Sequence, residues 1–223
     1  RRDAYKLIEQ GKVLVNSQEA GMGQQAEETD TVQVGKKILQ GKQTQKVLAF
    51  YKPVGVTCTE RDPHAEKKIM DMIRYPERLT YAGRLDKDSE GLILLTNDGD
   101  LINAMMRGAN RHEKEYIVKT DREITPDFLE KMAKGIYLKD LDITTRECEI
   151  EQIGKFTFRI VLTQGVNRQI RRMCEACGAK VRSLKRIRVM NIRLGDLKPG
   201  EWREITGEEL EQLQRDTGML NRN

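Results

Sequence analysis

The stretch Gly83-Arg84-Leu85-Asp86-Lys87-Asp88-Ser89-Glu90-Gly91-Leu92 decides how the chain is read. It sets charged side chains and a hydroxyl between two glycines. The apolar run Leu92-Ile93-Leu94-Leu95 follows at once and reads as a buried strand. A dense polar loop pinned to a buried element is where enzymes place chemistry. A carboxylate two residues from a guanidinium can stay ionised when water is excluded, because the opposite charge offsets desolvation. Asp86 is the candidate reactive group and Arg84 its expected first partner.

The 223 residues suffice for one ample domain with a small appendage. Charged residues make up 34% and hydrophobic residues 38%, so a core is feasible beneath a highly charged surface. The net charge of +5 points only weakly to a polyanionic partner. Two histidines, His64 and His112, leave no basis for a His-rich metal site or a His-based triad. Cys58, Cys148, Cys174 and Cys177 are irregularly spaced and read as reduced thiols of a cytoplasmic protein. No apolar run is long enough to span a membrane, and no signal peptide is evident. The chain opens inside an expected helix, so further sequence is expected upstream of Arg1.

Working outward, Arg1 to Gln10 reads as a basic amphipathic helix ended by Gly11. Strands are expected at Val13–Val15 and Thr31–Val34. Val47 to Tyr51 reads as a strand stopped by the turn Lys52-Pro53-Val54-Gly55. A helix is expected from Ala65 to Tyr75, and another from Leu101 to Arg107, capped by Asp100 and closed by Gly108. Tyr116 to Thr120 reads as a strand. Thr125, Pro126 and Gly135 bound a further helix. Lys155 to Thr163 alternates as a half-buried antiparallel strand. A last strand is expected around Ile187 to Ile192 with a bulge near Met190 or Asn191, and Trp202 and Leu210 anchor the C-terminal end. Strands and helices without regular alternation argue α+β.

The second informative stretch is Gln164-Gly165-Val166-Asn167-Arg168-Gln169-Ile170-Arg171-Arg172-Met173. On a helix at about 100° per residue, Ile170, Met173, Cys174 and Cys177 share one side. Arg168, Arg171 and Arg172 share the other. Arginine gives bidentate recognition of phosphates and carboxylates that lysine does not. Lys180, Arg182, Lys185, Arg186, Arg188 and Arg193 continue the excess. With no acidic residues interleaved, the tract is expected to need an anionic partner, and reads as a nucleic-acid footprint. Cys174-Xaa-Xaa-Cys177 lies on the apolar face and reads as core packing rather than a redox or zinc site. His112 reads as a surface or RNA contact. Asp86 and Asp88 are too close in sequence to be assumed a glycosidase pair. Asp98 and Asp100 read as a turn, not a calcium loop.

Gly-Arg-Leu-Asp, a hydroxyl residue three positions on, and then Gly-Leu resemble the catalytic motif of pseudouridine synthases, which isomerise uridine within RNA. Lys52-Pro53-Val54-Gly55, Lys114-Glu115-Tyr116 and the arginine helix resemble further motifs of that family, in the ribosomal branch of large-subunit type. Arg1, Arg2, Ala4, Ile8, Gly11, Val13, Val15 and Asn16 resemble the later part of a small S-four-type RNA-binding domain lacking its usual first helix.

The resemblance implies an α+β fold with a mixed, largely antiparallel sheet and flanking helices. Residues 1–42 would be the partial RNA-binding domain, 43–46 a linker and 47–223 the catalytic domain. It implies Asp86 as the catalytic carboxylate, acting with no metal and no cofactor. Arg171 is expected to pair with Asp86, with Arg168 the competing choice. Arg84 would hold the flipped nucleotide, Tyr116 would stack on the base and Leu184 would line the pocket. Arg1, Arg2, Lys114, Arg168, Arg172, Lys185 and Arg186 would hold RNA. The implied substrate is ribosomal RNA, with transfer RNA left open, and the implied form is a monomer. A non-catalytic RNA-binding or ribosome-assembly factor, and a nucleoside hydrolase or glycosidase, are the competing readings.

Overall fold

A computed structural model describes residues 2–27, 29–39, 44–59, 66–107 and 111–220, with Arg2 described in its backbone only. Two compact units divide the chain, Arg1–Gln45 and Lys46–Asn223.

The first unit holds α1 (Arg2–Glu9), β1 (Val13–Val15), β2 (Gln18–Glu19), β3 (Val32–Val34) and β4 (Lys37–Leu39). The strands form one antiparallel sheet in the order β2-β1-β3-β4. Val13 and Val15 are its buried side chains, so its core is slight. Asn16 replaces packing with hydrogen bonds. Its amide donates to Asp30 Oδ1 at 2.7 Å and its carbonyl accepts from Thr31 N at 2.9 Å. The short strands β2 and β4 carry no apolar alternation and were not expected.

The second unit begins with β5 (Val47–Lys52), a single 3-10 turn (Ile69–Met72), β6 (Thr80–Ala82), β7 (Glu90–Thr96) and α2 (Gly99–Met106). It continues with β8 (Lys114–Thr120), α3 (Pro126–Lys134), β9 (Tyr137–Leu138), β10 (Ile143–Thr144), β11 (Glu149–Gly154) and β12 (Thr157–Leu162). The remainder is α4 (Gln169–Ala176), β13 (Val181–Val189), β14 (Ile192–Arg193), β15 (Trp202–Glu204) and α5 (Gly207–Asp216).

The main sheet runs β11-β12-β8-β13-β7-β5-β15, with β14 on β13 and β6 on β7. Its β7–β13 pair is parallel and its other pairs are antiparallel. The expected mixed, largely antiparallel α+β sheet is therefore present.

Strands β5 and β7 are apolar on both faces, as strands covered on both sides must be. Val47, Ala49, Leu92 and Leu94 face Leu101, Ile192 and Leu213. Leu48, Phe50, Ile93 and Leu95 face Val56, Ile69 and Leu79. A separate core gathers Val118, Phe158 and Ile160 under α3 and α4, with Phe128, Met132, Ile170, Met173 and Cys174. Cys174 and Cys177 are free thiols packed in or against that core. Burial raises both thiols, Cys174 to about 12, so neither is reactive.

Several expectations are corrected. The helix expected from Ala65 to Tyr75 is only the 3-10 turn Ile69–Met72, and Ala65 lies outside the described residues. The cap of α2 is Asp98, whose carboxylate accepts from Asp100 N at 2.8 Å and Leu101 N at 3.1 Å. Gly108 lies outside the described residues. The last long strand starts at Val181, well before the expected Ile187, and its charged side chains hide the alternation in the sequence. Its irregularities fall between Val181 and Ser183 and between Arg186 and Arg188, whereas Met190, at φ 52°, belongs to the turn into β14.

The basic tract is not free of acids either. Arg188 bonds Glu115 at 2.6 Å and Glu113 at 2.9 Å, and Arg159 bonds Glu115 at 2.9 Å. The acids come from β8 and the turn before it, across the sheet and far away in sequence. Among the described residues no helix is long and apolar enough to cross a membrane.

Candidate active site

Asp86 sits on the loop between β6 and β7, and three elements fix that loop. Within it, Ser89 N donates to Asp86 O at 3.1 Å and closes a tight turn. From the Lys52-Pro53-Val54-Gly55 turn, Gly55 N donates to Lys87 O at 2.7 Å. Lys52 stabilises that turn from within. It is fully buried, and its ammonium donates to Pro53 O at 2.9 Å and Val56 O at 2.8 Å. Burial holds the Lys52 ammonium below its usual value, partly opposed by the charges of Cys58, Asp86 and Asp88.

The third element is α4. Arg168 grips Asp88 with both guanidinium nitrogens, at 3.2 and 2.9 Å, and its Nη1 lies 3.5 Å from Asp86 Oδ2. Arg171 Nη2 donates to Asp88 O at 2.8 Å and to the buried Ser89 hydroxyl at 3.2 Å. Burial pushes the Asp88 carboxyl up, but the Arg168 bonds and the Arg171 charge outweigh it and hold the group below its usual range. Arg168 takes a left-handed backbone, φ 51° and ψ 32°, at the helix N-cap. That conformation is uncommon for a non-glycine residue, costs of order 1 kcal/mol or more, and persists where surrounding contacts over-determine it.

Behind the loop, β7 and β13 meet with Gly91 opposite Arg186. Arg186 is only 3% exposed, and its Nε donates to Leu92 O at 2.7 Å. Its Nη1 reaches Arg84 O at 3.5 Å. On the same sheet face β8 presents Tyr116 directly opposite Arg186, and Leu184 lies two residues before it.

These elements enclose a cleft of about 610 Å³. Leu162, Val166, Ile170 and Leu184 give it apolar wall, and Tyr116 gives it an aromatic face. Among the described residues, seven cationic side chains line it against the single carboxylate of Asp86. Such a cleft concentrates an anionic, partly aromatic ligand.

The family model for RNA pseudouridylate synthases matches residues 46–176. The chain belongs to that family. It is 42% identical over 215 residues to the dual-specificity RNA pseudouridine synthase RluF of Escherichia coli K12, across 96% of this chain and 73% of that protein. It is 32% identical to the ribosomal large subunit pseudouridine synthase B of Vibrio cholerae, across 96% of this chain and 70% of the relative. A solved structure described as a pseudouridylate synthase superposes with a TM-score of 0.73 at 27% identity, covering 95% of this chain and 93% of that one. The pseudouridine-synthase fold and its isomerase activity thus stand for this chain.

The synthase cleft gathers Asp86, Arg84, Tyr116, Arg171, Leu184, Lys114, Arg168 and Arg186 among its lining residues. Three placements differ from expectation. Arg84 is exposed and makes no ion pair with Asp86; Arg168 stands there instead. Arg171 holds the Asp88 backbone carbonyl and the Ser89 hydroxyl rather than the Asp86 carboxylate. Arg186 lies in the floor of the cleft, not on an open RNA-facing surface, because β13 turns it toward Leu92.

Two expected RNA contacts lie outside the synthase cleft. Arg172 pairs with Asp140, and its Nε donates to Asn167 O at 2.9 Å. The Lys185 ammonium lies 4.9 Å from the centre of the Tyr51 ring. Arg1 and the Arg2 side chain lie outside the described residues. Sequence reasoning gave no role to Lys52 or Gly91. A lysine ending the apolar strand Val47-Leu48-Ala49-Phe50-Tyr51 was the available signal for the first.

Proposed function

We propose that this synthase converts a specific uridine of large-subunit ribosomal RNA to pseudouridine, with Asp86 as the catalytic carboxylate. The observation that carries this reading is Asp86 itself, the single carboxylate among the described residues of a cationic cleft that also offers the Tyr116 ring. The relatives' names support the substrate, since one acts on the large ribosomal subunit. The name of the dual-specificity relative supports a second RNA substrate, for which transfer RNA is the candidate.

The isomerisation breaks the bond from the anomeric carbon to N1 and makes one from that carbon to C5; C5 loses a proton and N1 gains one, so the composition is unchanged. No net electrons move, so side chains suffice without a cofactor. Attack on the anomeric carbon, addition to the ring and removal of a ribose proton all use the same carboxylate. Arg168 Nη1, 3.5 Å from Asp86 Oδ2, orients the carboxylate beside the apolar wall. The target nucleotide enters flipped from its helix, at a cost of a few kcal/mol that stacking on Tyr116 and contacts from Arg84 offset.

The test is Asp86→Asn incubated with 23S ribosomal RNA, with pseudouridine mapped by chemical sequencing. The intact protein should form one mapped pseudouridine and the variant none. Full yield from the variant would overturn the role of Asp86. Release of free uracil would indicate hydrolysis instead.

A further inference from the structure

Several arginines in or beside this cleft are already matched. Arg168 has Asp86 and Asp88, Arg171 has Asp88, and Arg188 has Glu113 and Glu115. Lys114 and Arg186 are not. Neither has a carboxylate within ion-pair distance among the described residues, yet both line the cleft. Arg186 uses Nε on Leu92 O, while its Nη2 is buried with no hydrogen-bond partner. A buried donor left unpaired costs about 1–3 kcal/mol, more for a charged group, so it marks a place where a ligand completes the structure.

Sheet register brings the two cations together. Tyr116 pairs with Arg186 across β8 and β13, and Lys114 lies two residues before Tyr116 on the same face. Burial, with the Arg186 charge beside it, holds the Lys114 ammonium below its usual value. Two like charges in one pocket repel each other, and an anion placed between them relieves both. A uracil carbonyl could take the free Nη2 hydrogen but would leave the charge unbalanced. A phosphate does both.

We infer that Lys114 and Arg186 form a receptor for one phosphodiester of the substrate RNA strand, immediately beside the nucleotide that stacks on Tyr116. Lys114 and Tyr116 are about 7 Å apart along the strand, the scale of a single nucleotide step. The receptor is therefore a ruler. It fixes the backbone where the base leaves its helix, and Tyr116 takes the base one step on. Phosphate contacts of this kind set register rather than sequence. Lys114 and Arg186 are positioning residues that touch the RNA but not the reacting atoms. This inference rests on the RNA substrate proposed above.

A synthetic stem-loop bearing the mapped uridine tests it, with one neutral methylphosphonate linkage placed in turn at each phosphate around that uridine. Binding is read with Asp86→Asn, and turnover with the otherwise native chain. One linkage within a nucleotide of the target should weaken binding and kcat/KM about 10-fold, as loss of one charge-assisted hydrogen bond predicts. Lys114→Met should lose a similar factor on the all-phosphate RNA and almost nothing further on the neutral linkage. Lys114→Arg should recover most of the loss. If no single linkage matters to the native chain, the receptor does not exist, whatever Lys114→Met does to folding. Losses from linkage and variant that simply multiply would overturn it as well. Tight binding with no pseudouridine would count against the proposed reaction and leave the linkage effect on binding to decide the receptor.

Discussion

The backbone of Arg186 occupies the space where a side chain at Gly91 would begin. A Cβ on Gly91 would lie 2.2 Å from Arg186 O and 2.6 Å from Arg186 N, and Gly91 already sits at φ +109°. The glycine after the loop that bears Asp86 is thus a condition for β7 and β13 to lie side by side, and for Arg186 to reach Leu92 O and Arg84 O. Gly91→Ala is expected to destabilise the fold by roughly 3 kcal/mol, from backbone strain plus overpacking. Urea unfolding measures it. A loss under 1 kcal/mol would show that the strands can part freely.

Arg168 is expected to matter more through its fork than through its charge. Arg168→Lys keeps a cation but cannot span Asp88 with two bonds and still approach Asp86. A fall in kcat of about 10- to 100-fold is expected from the misplaced loop. Arg168→Gly should relieve the left-handed backbone and unfold no more easily than the native chain, while losing activity further. Single-turnover kinetics and thermal melts separate the two effects.

Asp88 gives an acid signature. Its folded pKa lies below the ordinary 3.8, so its contribution to stability is fully present above that value. The contribution is lost as pH falls through the lower folded pKa. Asp88→Asn should therefore be less stable than the native chain at neutral pH and converge with it below about pH 4. Denaturant midpoints across that range decide it, and a constant gap at all pH values would exclude the Arg168 and Arg171 contacts as the source.

Glu115 holds two arginines at once from a buried position. Removing one member of such a network leaves buried charge unbalanced, so Glu115→Leu should cost about 3 kcal/mol or more. Calorimetry of the variant checks this. The pair Glu115→Leu with Arg188→Leu should recover part of the loss.

Lys52→Met removes the donors that satisfy Pro53 O and Val56 O. Two stranded carbonyls should cost about 2–4 kcal/mol. With the turn loosened, the Gly55–Lys87 bond weakens, so kcat should fall while KM changes little. An unchanged kcat would show that the loop does not depend on that turn.

The sequence made some of this legible and hid the rest for physical reasons. Asp86 was visible because glycines and charges concentrate around it just before a buried strand. The helix Gln169–Ala176 was visible because Ile170, Met173 and Cys174 recur at helical spacing. Choosing between Arg168 and Arg171 required the left-handed cap at Arg168, a conformation that arginine does not advertise. The long strand Val181–Val189 was blurred by Arg182, Lys185, Arg186 and Arg188, whose partners are set by register with β8 rather than by neighbours in the chain. Glu149–Gly154 hid for a related reason, as an exposed edge strand with too few apolar positions to alternate.

The parallel β7–β13 pair also sets when this enzyme can first act. Arg186 and Leu92 are 94 residues apart, so the charged loop leaves the ribosome long before the strand that fixes it. Such distant closure is slow and cannot be rehearsed locally. A chain still being made carries Asp86 but neither the floor nor the far wall of its cleft. An enzyme whose proposed target is ribosomal RNA therefore lacks the floor of its cleft until β13 has left the ribosome that is synthesising it.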